Sequence, residues 1–208
     1  MLEILAHRGL WHSEEEQNTL EAIELAFTHG FGVETDIRYS FGKLVVSHDP
    51  STESTPTFVE LLEVAERHDK EIAVNIKSSG LAKLVAQGVS SSRNQRLTYF
   101  DMAVPDALGY LQEGLPVLWR VSEFETMGKV PNGVTGLWID DFSGKWLTAQ
   151  ECRKFSETGL DLYFVSQELH QTEEPTQQWR IILDLMETVG NKIKLCTDLP
   201  FEAREFFR

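Results

Sequence analysis

The sequence is poor in cysteine and, relative to its acidic residues, poor in lysine and arginine. Its 208 residues include only Cys152 and Cys196, which lie far apart and match no CxxC or other metal-ligand spacing. We therefore expect two ordinary thiols rather than a disulfide framework. With 19 basic and 33 acidic residues, the formal net charge is −14. This balance argues against a protein that binds nucleic acid or anionic membranes through clustered basic residues.

Long apolar runs are missing as well. The first residues, MLEILAHRG, form neither a charged-then-apolar leader nor a membrane span, so we expect no signal peptide, no membrane insertion and a cytoplasmic location. No repeat, low-complexity tract or flexible linker divides the chain. A hydrophobic content of 41% over this length is enough for one buried core. We predict one domain that spans residues 1–208.

Short apolar runs rich in β-branched and aromatic residues alternate with segments of helical spacing. The helical pattern is clearest in residues 19–28, 57–66 and 179–189. The candidate strands are residues 2–6, 32–37, 71–76, 96–100, 116–120, 136–139, 161–165 and 192–195, with a shorter run at 43–47. Eight strands joined by helices predict an α/β protein, a (β/α)8 TIM barrel at the minimal length for that fold.

Polar residues are concentrated where the first few predicted strands end. In a parallel barrel, the side chains that act on a substrate lie at the carboxyl ends of the strands. Four short motifs occupy such positions here: His7-Arg8-Gly9, Glu34-Thr35-Asp36, His48-Asp49 and Asn75-Ile76-Lys77. We therefore expect charged groups from neighbouring strands to meet at one end of the barrel.

Alternate residues of a strand face the same side, so Glu34 and Asp36 should project together. Two adjacent carboxylates repel each other unless a cation neutralises them. Together with the side-chain oxygen of Asn75, they would suit Mg²⁺ or Ca²⁺ better than zinc. A salt-bridged strand end is the alternative interpretation. Asp101 and Asp140 follow two further strands, but their spacing alone assigns them no role.

Two histidines at neighbouring strand ends could share the proton transfers of one reaction. His7 and His48 are candidates for a pair in which one imidazole removes a proton from a nucleophile and the other protonates a leaving alkoxide. Arg8 and Lys77 could bind phosphate oxygens, although either could equally be a structural ion-pair partner. This set of side chains predicts the cleavage of a phosphodiester.

At these residues the sequence resembles the glycerophosphodiester phosphodiesterase family. The resemblance rests on five motifs in order, which are H7-R8-G9, N18-T19, E34-T35-D36, H48-D49 and N75-I76-K77. It implies a barrel of the phospholipase C-like phosphodiesterase type, a divalent cation, and hydrolysis of a phosphodiester to a phosphomonoester and an alcohol. By motif match, His7 and His48 would be the acid/base pair, Glu34 and Asp36 metal ligands, and Arg8 and Lys77 phosphate ligands.

The sequence departs from the family pattern at three places. Asn75 stands where the pattern has a glutamate, Gln17 replaces the glutamate before the Asn-Thr pair, and the passage from His48 to Pro56 is short. Three alternatives therefore remain open. The chain could be a degenerate barrel that binds a phosphate ligand without turnover, or a lyase that forms a cyclic phosphate. It could also cleave without metal, with Arg8 and Lys77 alone neutralising the phosphate.

Overall fold

The computed structural model of the chain describes residues 2–90, 92, 96–170, 174–189 and 193–208. Nine strands lie in these ranges: β1 Glu3–His7, β2 Gly32–Ser40, β3 Lys43–Val46, β4 Ile72–Ile76, β5 Leu97–Phe100, β6 Val117–Val121, β7 Val134–Ile139, β8 Asp161–Val165 and β9 Ile193–Thr197. The α-helices of the same ranges are α1 Leu20–Thr28, α2 Phe58–Ala65, α3 Ala82–Val89, α4 Val104–Gln112, α5 Ala149–Ser156, α6 Thr176–Val189 and α7 Pro200–Phe206. Short 3-10 helices span Glu14–Glu16 and Gln167–His170.

The strand order confirms the predicted fold class. It runs β1-β9-β8-β7-β6-β5-β4-β2-β3, and β1 also pairs with β2. The β1–β2 pairing closes eight strands into the ring of a (β/α)8 barrel, in which a helix separates most successive strands. The exception is the connection from β6 to β7, which lies wholly in the described ranges, contains no helix and so departs from the regular alternation that the sequence predicts. The ninth strand, β3, lies outside the ring because it pairs antiparallel with β2 to form a hairpin.

By their contacts the residues fall into two compact units, Met1–Leu5 with Leu118–Arg208, and Ala6–Val117. Every residue named in the predicted site lies in the second of these units. That the whole chain is one domain stays a prediction. No helix in the described ranges combines the length and the apolar character needed to cross a bilayer.

The unit Ala6–Val117 is organised around β2, β4 and β5, which run parallel in consecutive register. Central strands of a parallel sheet are covered on both faces, and accordingly the first six residues of β2 are all buried, including the polar ones. Helix α1 begins at the N-cap Thr19, whose hydroxyl accepts a hydrogen bond from the backbone N–H of Ala22. Its apolar face, with Ile23 and Phe27, is buried.

The unit formed by residues 1–5 and 118–208 contains the parallel pairs β7–β8 and β8–β9. Gly136 of β7 permits close packing there, since a Cβ atom at this position would lie 2.8 Å from Leu118 Cδ2 and 2.9 Å from the Asp161 carbonyl oxygen. Trp179 of α6 packs against the rings of Phe206 and Phe207 near the C-terminus. The ring contacts therefore join α6 to the C-terminal segment that contains α7.

The structure corrects the predicted bounds by a few residues. The first strand extends to residue 7, so His7 ends the strand rather than following it. The second continues to residue 40 because it forms a hairpin with β3. The last strand runs from 193 to 197, and residue 192, its predicted start, lies outside the described residues. Helix α6 begins three residues earlier than the apolar spacing indicates, since its first turn is polar.

Candidate active site

The predicted site residues are placed by the register of β1, β2 and β4. His7 is the last residue of β1, while Glu34 and Asp36 lie within β2. Asp36 pairs in register with Asn75 of β4. Lys77 follows β4, and its backbone N–H donates to the Ile37 carbonyl at 2.8 Å. The strand ladder therefore gathers the predicted polar groups at the carboxyl end of the sheet.

Asp36 is the centre of this cluster. Its side chain is 1% exposed, and Arg8 Nε lies 3.1 Å from Oδ2 while Lys77 Nζ lies 3.3 Å from Oδ1. The side-chain amide of Asn18 also donates to Asp36 Oδ2 at 2.9 Å. A buried carboxylate requires such compensation, because burial without a partner carries a large free-energy cost. Arg8 and Lys77, the two side chains predicted to bind phosphate, therefore both contact the Asp36 carboxylate.

Arg8 occupies a strained turn between β1 and α1. Its φ of 58° is left-handed, and its backbone N–H donates to the Glu34 carbonyl at 2.8 Å. The next residue, Gly9, also has a positive φ, and a Cβ there would lie 2.7 Å from the Ala22 backbone carbon. Only glycine allows so close an approach to α1. Arg8 Nη1 also donates to Gln17 Oε1 at 2.9 Å, so the neutral Gln17 contacts this guanidinium.

Glu34 and His7 form the second contact pair. The distance from His7 Nε2 to Glu34 Oε2 is 3.8 Å, and the glutamate side chain is 3% exposed. Burial, and next the neighbouring Asp36 carboxylate, raise the pKa of Glu34 to about 7. A carboxyl group with such a pKa can gain or lose a proton near neutral pH. Perturbed groups of this kind are typical of functional sites.

His48 follows the hairpin strand β3. Its Nδ1 lies 3.0 Å from Asp49 Oδ1, and its carbonyl accepts a short hydrogen bond from Arg38. With Nδ1 engaged by the carboxylate, Nε2 is the nitrogen that remains for a substrate. His48 and Arg8 line the same pocket, which has a volume of about 220 Å³. The structure therefore places His48 in the same pocket as Arg8, and His7 in contact with Glu34.

The donor set fits a hard divalent cation. Three side-chain oxygens of the described residues are buried without a hydrogen bond at this place: Glu34 Oε2, Asp36 Oδ1 and Asn75 Oδ1. The first two are in ion-pair contact with His7 Nε2 at 3.8 Å and Lys77 Nζ at 3.3 Å. All three are the oxygens that the sequence predicts as metal ligands, and Mg²⁺ and Ca²⁺ prefer oxygen ligands. Within the described ranges, no three His, Cys, Asp or Glu side chains are grouped to hold a metal. The third protein ligand would therefore be the amide oxygen of Asn75.

Sequence reasoning noted Asn18 only as part of a motif and assigned Asp101 no role. Asn18 has a φ of 60° and is 7% exposed, and its side-chain oxygen accepts from Thr35 Oγ1 at 2.7 Å as its amide donates to Asp36. Asp101, after β5, has a φ of 71° and lies 3.6 Å from Lys77 Nζ. The Asn-Thr pair was a usable signal for Asn18, since asparagine tolerates left-handed backbone.

Asp140, for which the sequence also assigned no role, lies in the unit formed by residues 1–5 and 118–208. Its Oδ1 is 3.1 Å from His170 Nε2, and the His170 ring packs at a tilt of 51° against Phe142 with a centroid distance of 4.6 Å. Asp140 is 6% exposed. A buried carboxylate with an imidazole partner satisfies the requirement that buried charge be paired. These contacts give Asp140 a structural explanation.

No family model matches the chain, and no curated protein matches its sequence. Solved structures are similar in fold. A glycerophosphodiester phosphodiesterase from Agrobacterium tumefaciens str. C58 matches at 17% identity and a TM-score of 0.66, over 100% of this chain and 99% of that one. A glycerophosphoryl diester phosphodiesterase from Parabacteroides distasonis ATCC 8503 matches at 15% identity and a TM-score of 0.54, over 99% of this chain and 85% of that one.

Barrels of a second activity match almost as well. A dihydropteroate synthase from Xanthomonas albilineans matches at 12% identity and a TM-score of 0.53, over 99% of this chain and 90% of the other. Identities this low establish the fold alone, and one barrel fold supports many unrelated activities. The chain therefore has the (β/α)8 barrel fold, in a form similar to glycerophosphodiester phosphodiesterases, as its motifs predict.

Proposed function

We propose that the chain hydrolyses a small phosphodiester to a phosphomonoester and an alcohol with the help of a divalent cation. The observation that carries this proposal is the cluster around Asp36, where Arg8 and Lys77 are held 3.1 and 3.3 Å from one carboxylate. Two fixed cations beside two histidines suit a phosphate diester and the proton transfers of its cleavage. The fold similarity to phosphodiesterases supports the same reaction class.

In the proposed reaction, water attacks phosphorus and the bond to the alcohol oxygen breaks. One imidazole takes the proton from the attacking water, and the other gives its proton to the departing oxygen. The proximity of Glu34 to His7 would stabilise an imidazolium, and Asp49 holds Nδ1 of His48. Arg8 and Lys77 would bind the phosphoryl oxygens as negative charge builds on them.

Glu34, Asp36 and Asn75 would hold the cation. Bound there, a divalent cation supplies charge neutralisation at the phosphoryl oxygens and lowers the pKa of coordinated water. Only two of these three ligands are carboxylates, so the affinity of the site for the divalent cation should be modest. This expectation follows from the charge on the ligands, since the amide of Asn75 contributes none.

The test is cleavage of bis(p-nitrophenyl) phosphate with Mg²⁺, Ca²⁺, Mn²⁺ or chelator, on wild-type protein and three variants. We expect His7→Ala and His48→Ala to lower the rate by roughly 10²-fold or more while leaving the circular dichroism spectrum unchanged. Glu34→Gln should act through metal affinity and recover partly at higher cation concentration. His29→Ala, an exposed histidine at the end of α1, is the matched control. Wild-type turnover in either His7→Ala or His48→Ala would remove the acid/base assignment.

A degenerate barrel that binds phosphate without turnover is the second candidate, and Gln17 and Asn75 favour it because each replaces a carboxylate of the family pattern. It predicts calorimetric binding of a phosphomonoester without release of p-nitrophenol under any cation. Full activity in chelator would instead favour cleavage by Arg8 and Lys77 alone. Phosphorus NMR of the product separates hydrolysis from cyclic-phosphate formation.

A further inference from the structure

The pocket beside Arg8 and His48 is open to solvent on one side and has a volume of about 220 Å³. A short alcohol fits in this space. It is formed within the unit Ala6–Val117 by the 3-10 helix segment and the residues after β3.

The charges that line this pocket have both signs. Arg8 contributes a guanidinium, and Glu14 and Asp49 contribute carboxylates. Asp49 lies against His48 Nδ1, whereas Glu14 is an exposed residue of the 3-10 helix. A ligand that places its phosphate at Arg8 would therefore meet negative charge at its other end. Charge complementarity of this kind suits a zwitterion.

The remaining lining chemistry distinguishes between two kinds of organic cation. The hydroxyl-bearing residues Thr19, Ser47 and Thr55 line the pocket, and none of its described lining residues is a phenylalanine, tyrosine or tryptophan. Quaternary ammonium groups are recognised by aromatic faces, because they have no N–H to donate. A primary ammonium group has three donors, which suit carboxylate and hydroxyl acceptors.

We infer that this pocket binds the alcohol portion of the substrate and that this portion carries a primary ammonium group, as in a 2-aminoethyl ester; the inference rests on the proposed phosphodiester cleavage. His48, which lines the pocket, is then the group that protonates the departing oxygen. Water forms the new bond to phosphorus and gives its proton to the other imidazole. The products are the free amino alcohol and a phosphomonoester.

The test compares kcat/KM for glycerophosphoethanolamine, glycerophosphocholine and glycerophosphoglycerol. We expect wild-type protein to prefer the ethanolamine diester over the choline diester by about tenfold or more, the scale of one charge-assisted hydrogen bond. Glu14→Gln should lower the ratio of kcat/KM for the ethanolamine diester to that for the glycerol diester by about two- to fivefold, the scale of an exposed ion pair. The matched control is Glu15→Gln, which makes the same charge change one residue away, outside the pocket lining, and should leave that ratio unchanged.

Preference for the choline diester, or an unchanged ratio in Glu14→Gln, would overturn the inference while leaving phosphodiester cleavage in place. If bis(p-nitrophenyl) phosphate and all three diesters stay intact, the proposed function fails, and calorimetry with phosphoethanolamine and phosphocholine then decides the pocket assignment. Tighter binding of phosphoethanolamine, weakened by Glu14→Gln and not by Glu15→Gln, supports it. Equal binding of the two ligands rejects it.

Discussion

Asn18 shows how much of the site depends on one neutral side chain. Its amide links Asp36 and Thr35, and its backbone N–H donates to the Arg8 carbonyl at 3.0 Å. It therefore connects the turn that carries Arg8 to the strand that carries Asp36. We interpret Asn18 as a positioning residue, since it contacts the groups that would bind phosphate.

Replacing Asn18 by glycine tests the hydrogen bonds of its side chain separately from the strain of its backbone conformation. Glycine relieves the left-handed φ but removes the acceptor of two buried donors, the Thr35 hydroxyl and the Asp36 backbone N–H. We therefore expect Asn18→Gly to lower the free energy of unfolding by about 1–3 kcal/mol. Phe41→Gly is the matched control, because Phe41 has a φ of 49° but is 57% exposed. Urea denaturation measures both variants. An Asn18→Gly protein as stable as Phe41→Gly would contradict the role of the amide.

Glu34 predicts a dependence of stability on pH in chelator-treated protein. Its folded pKa of about 7 lies above its ordinary value of 4.5, so folding favours the protonated carboxyl group. Its stabilising contribution is present below pH 4.5 and is lost as the pH rises through 7. The Glu34→Gln variant mimics the neutral carboxyl group at every pH. As the pH rises from 4.5 to 7, the free energy of unfolding of this variant, minus that of wild type, should therefore increase by about 1 kcal/mol per pH unit. Parallel pH profiles for the two proteins, with exposed Glu63→Gln as control, would refute this.

At the scale of the elements, helix starts are fixed by local chemistry. Thr57 caps α2 through a reciprocal pair of bonds: its hydroxyl accepts from the Glu60 N–H at 3.2 Å, and Glu60 Oε2 accepts from the Thr57 N–H at 2.7 Å. These bonds satisfy two donors that the first turn of a helix leaves unpaired. The Thr57 hydroxyl also donates to Glu60 Oε2 at 2.7 Å, and this bond, followed by the bond from the Thr57 N–H, holds the pKa of Glu60 below its ordinary value.

We expect Thr57→Ala to lower the free energy of unfolding by about 1 kcal/mol. Glu60→Ala should cost a similar amount, and the double variant less than the sum, because both changes break the same pair of bonds. Thr28→Ala, an exposed threonine in the last turn of α1, is the control and should not destabilise. Additive losses in thermal denaturation would mean that the two bonds act independently.

Local signals explain why the fold was predictable and the geometry of the site was not. The sequence predicts the strand Asp161–Val165 to the residue because it is a short apolar run. The predicted strand ends make His7, Arg8 and Lys77 candidates for the site. The contact of Asn18 with Asp36 joins residues 18 positions apart, and nothing in the spacing of either motif encodes it. Likewise, the ion pair of Lys77 with Asp101 depends on the neighbouring strand β5, which only the folded sheet brings close.

At the scale of the whole molecule, the net charge of −14 should oppose folding through self-repulsion. We expect the urea midpoint to rise as NaCl increases from about 10 mM to about 500 mM, because the screening length falls from about 30 Å to below 8 Å. Tetramethylammonium chloride is the control for specific cation binding and should give the same rise. A midpoint that falls with both salts would mean that favourable ion pairs outweigh the net charge.

Arg8, Asn18 and Asp101 are three of the four non-glycine residues with positive φ in the described part of the chain, and all three belong to the candidate site. Backbone of this kind is held in place by the rest of the structure at a cost in stability. Laboratory evolution that selects this chain for heat resistance alone would accumulate glycine at Asp101, whereas Arg8 would be retained because its guanidinium compensates the buried Asp36 carboxylate. A programme to engineer the barrel therefore has to select for turnover in every round, or it will produce a more durable protein with an altered site.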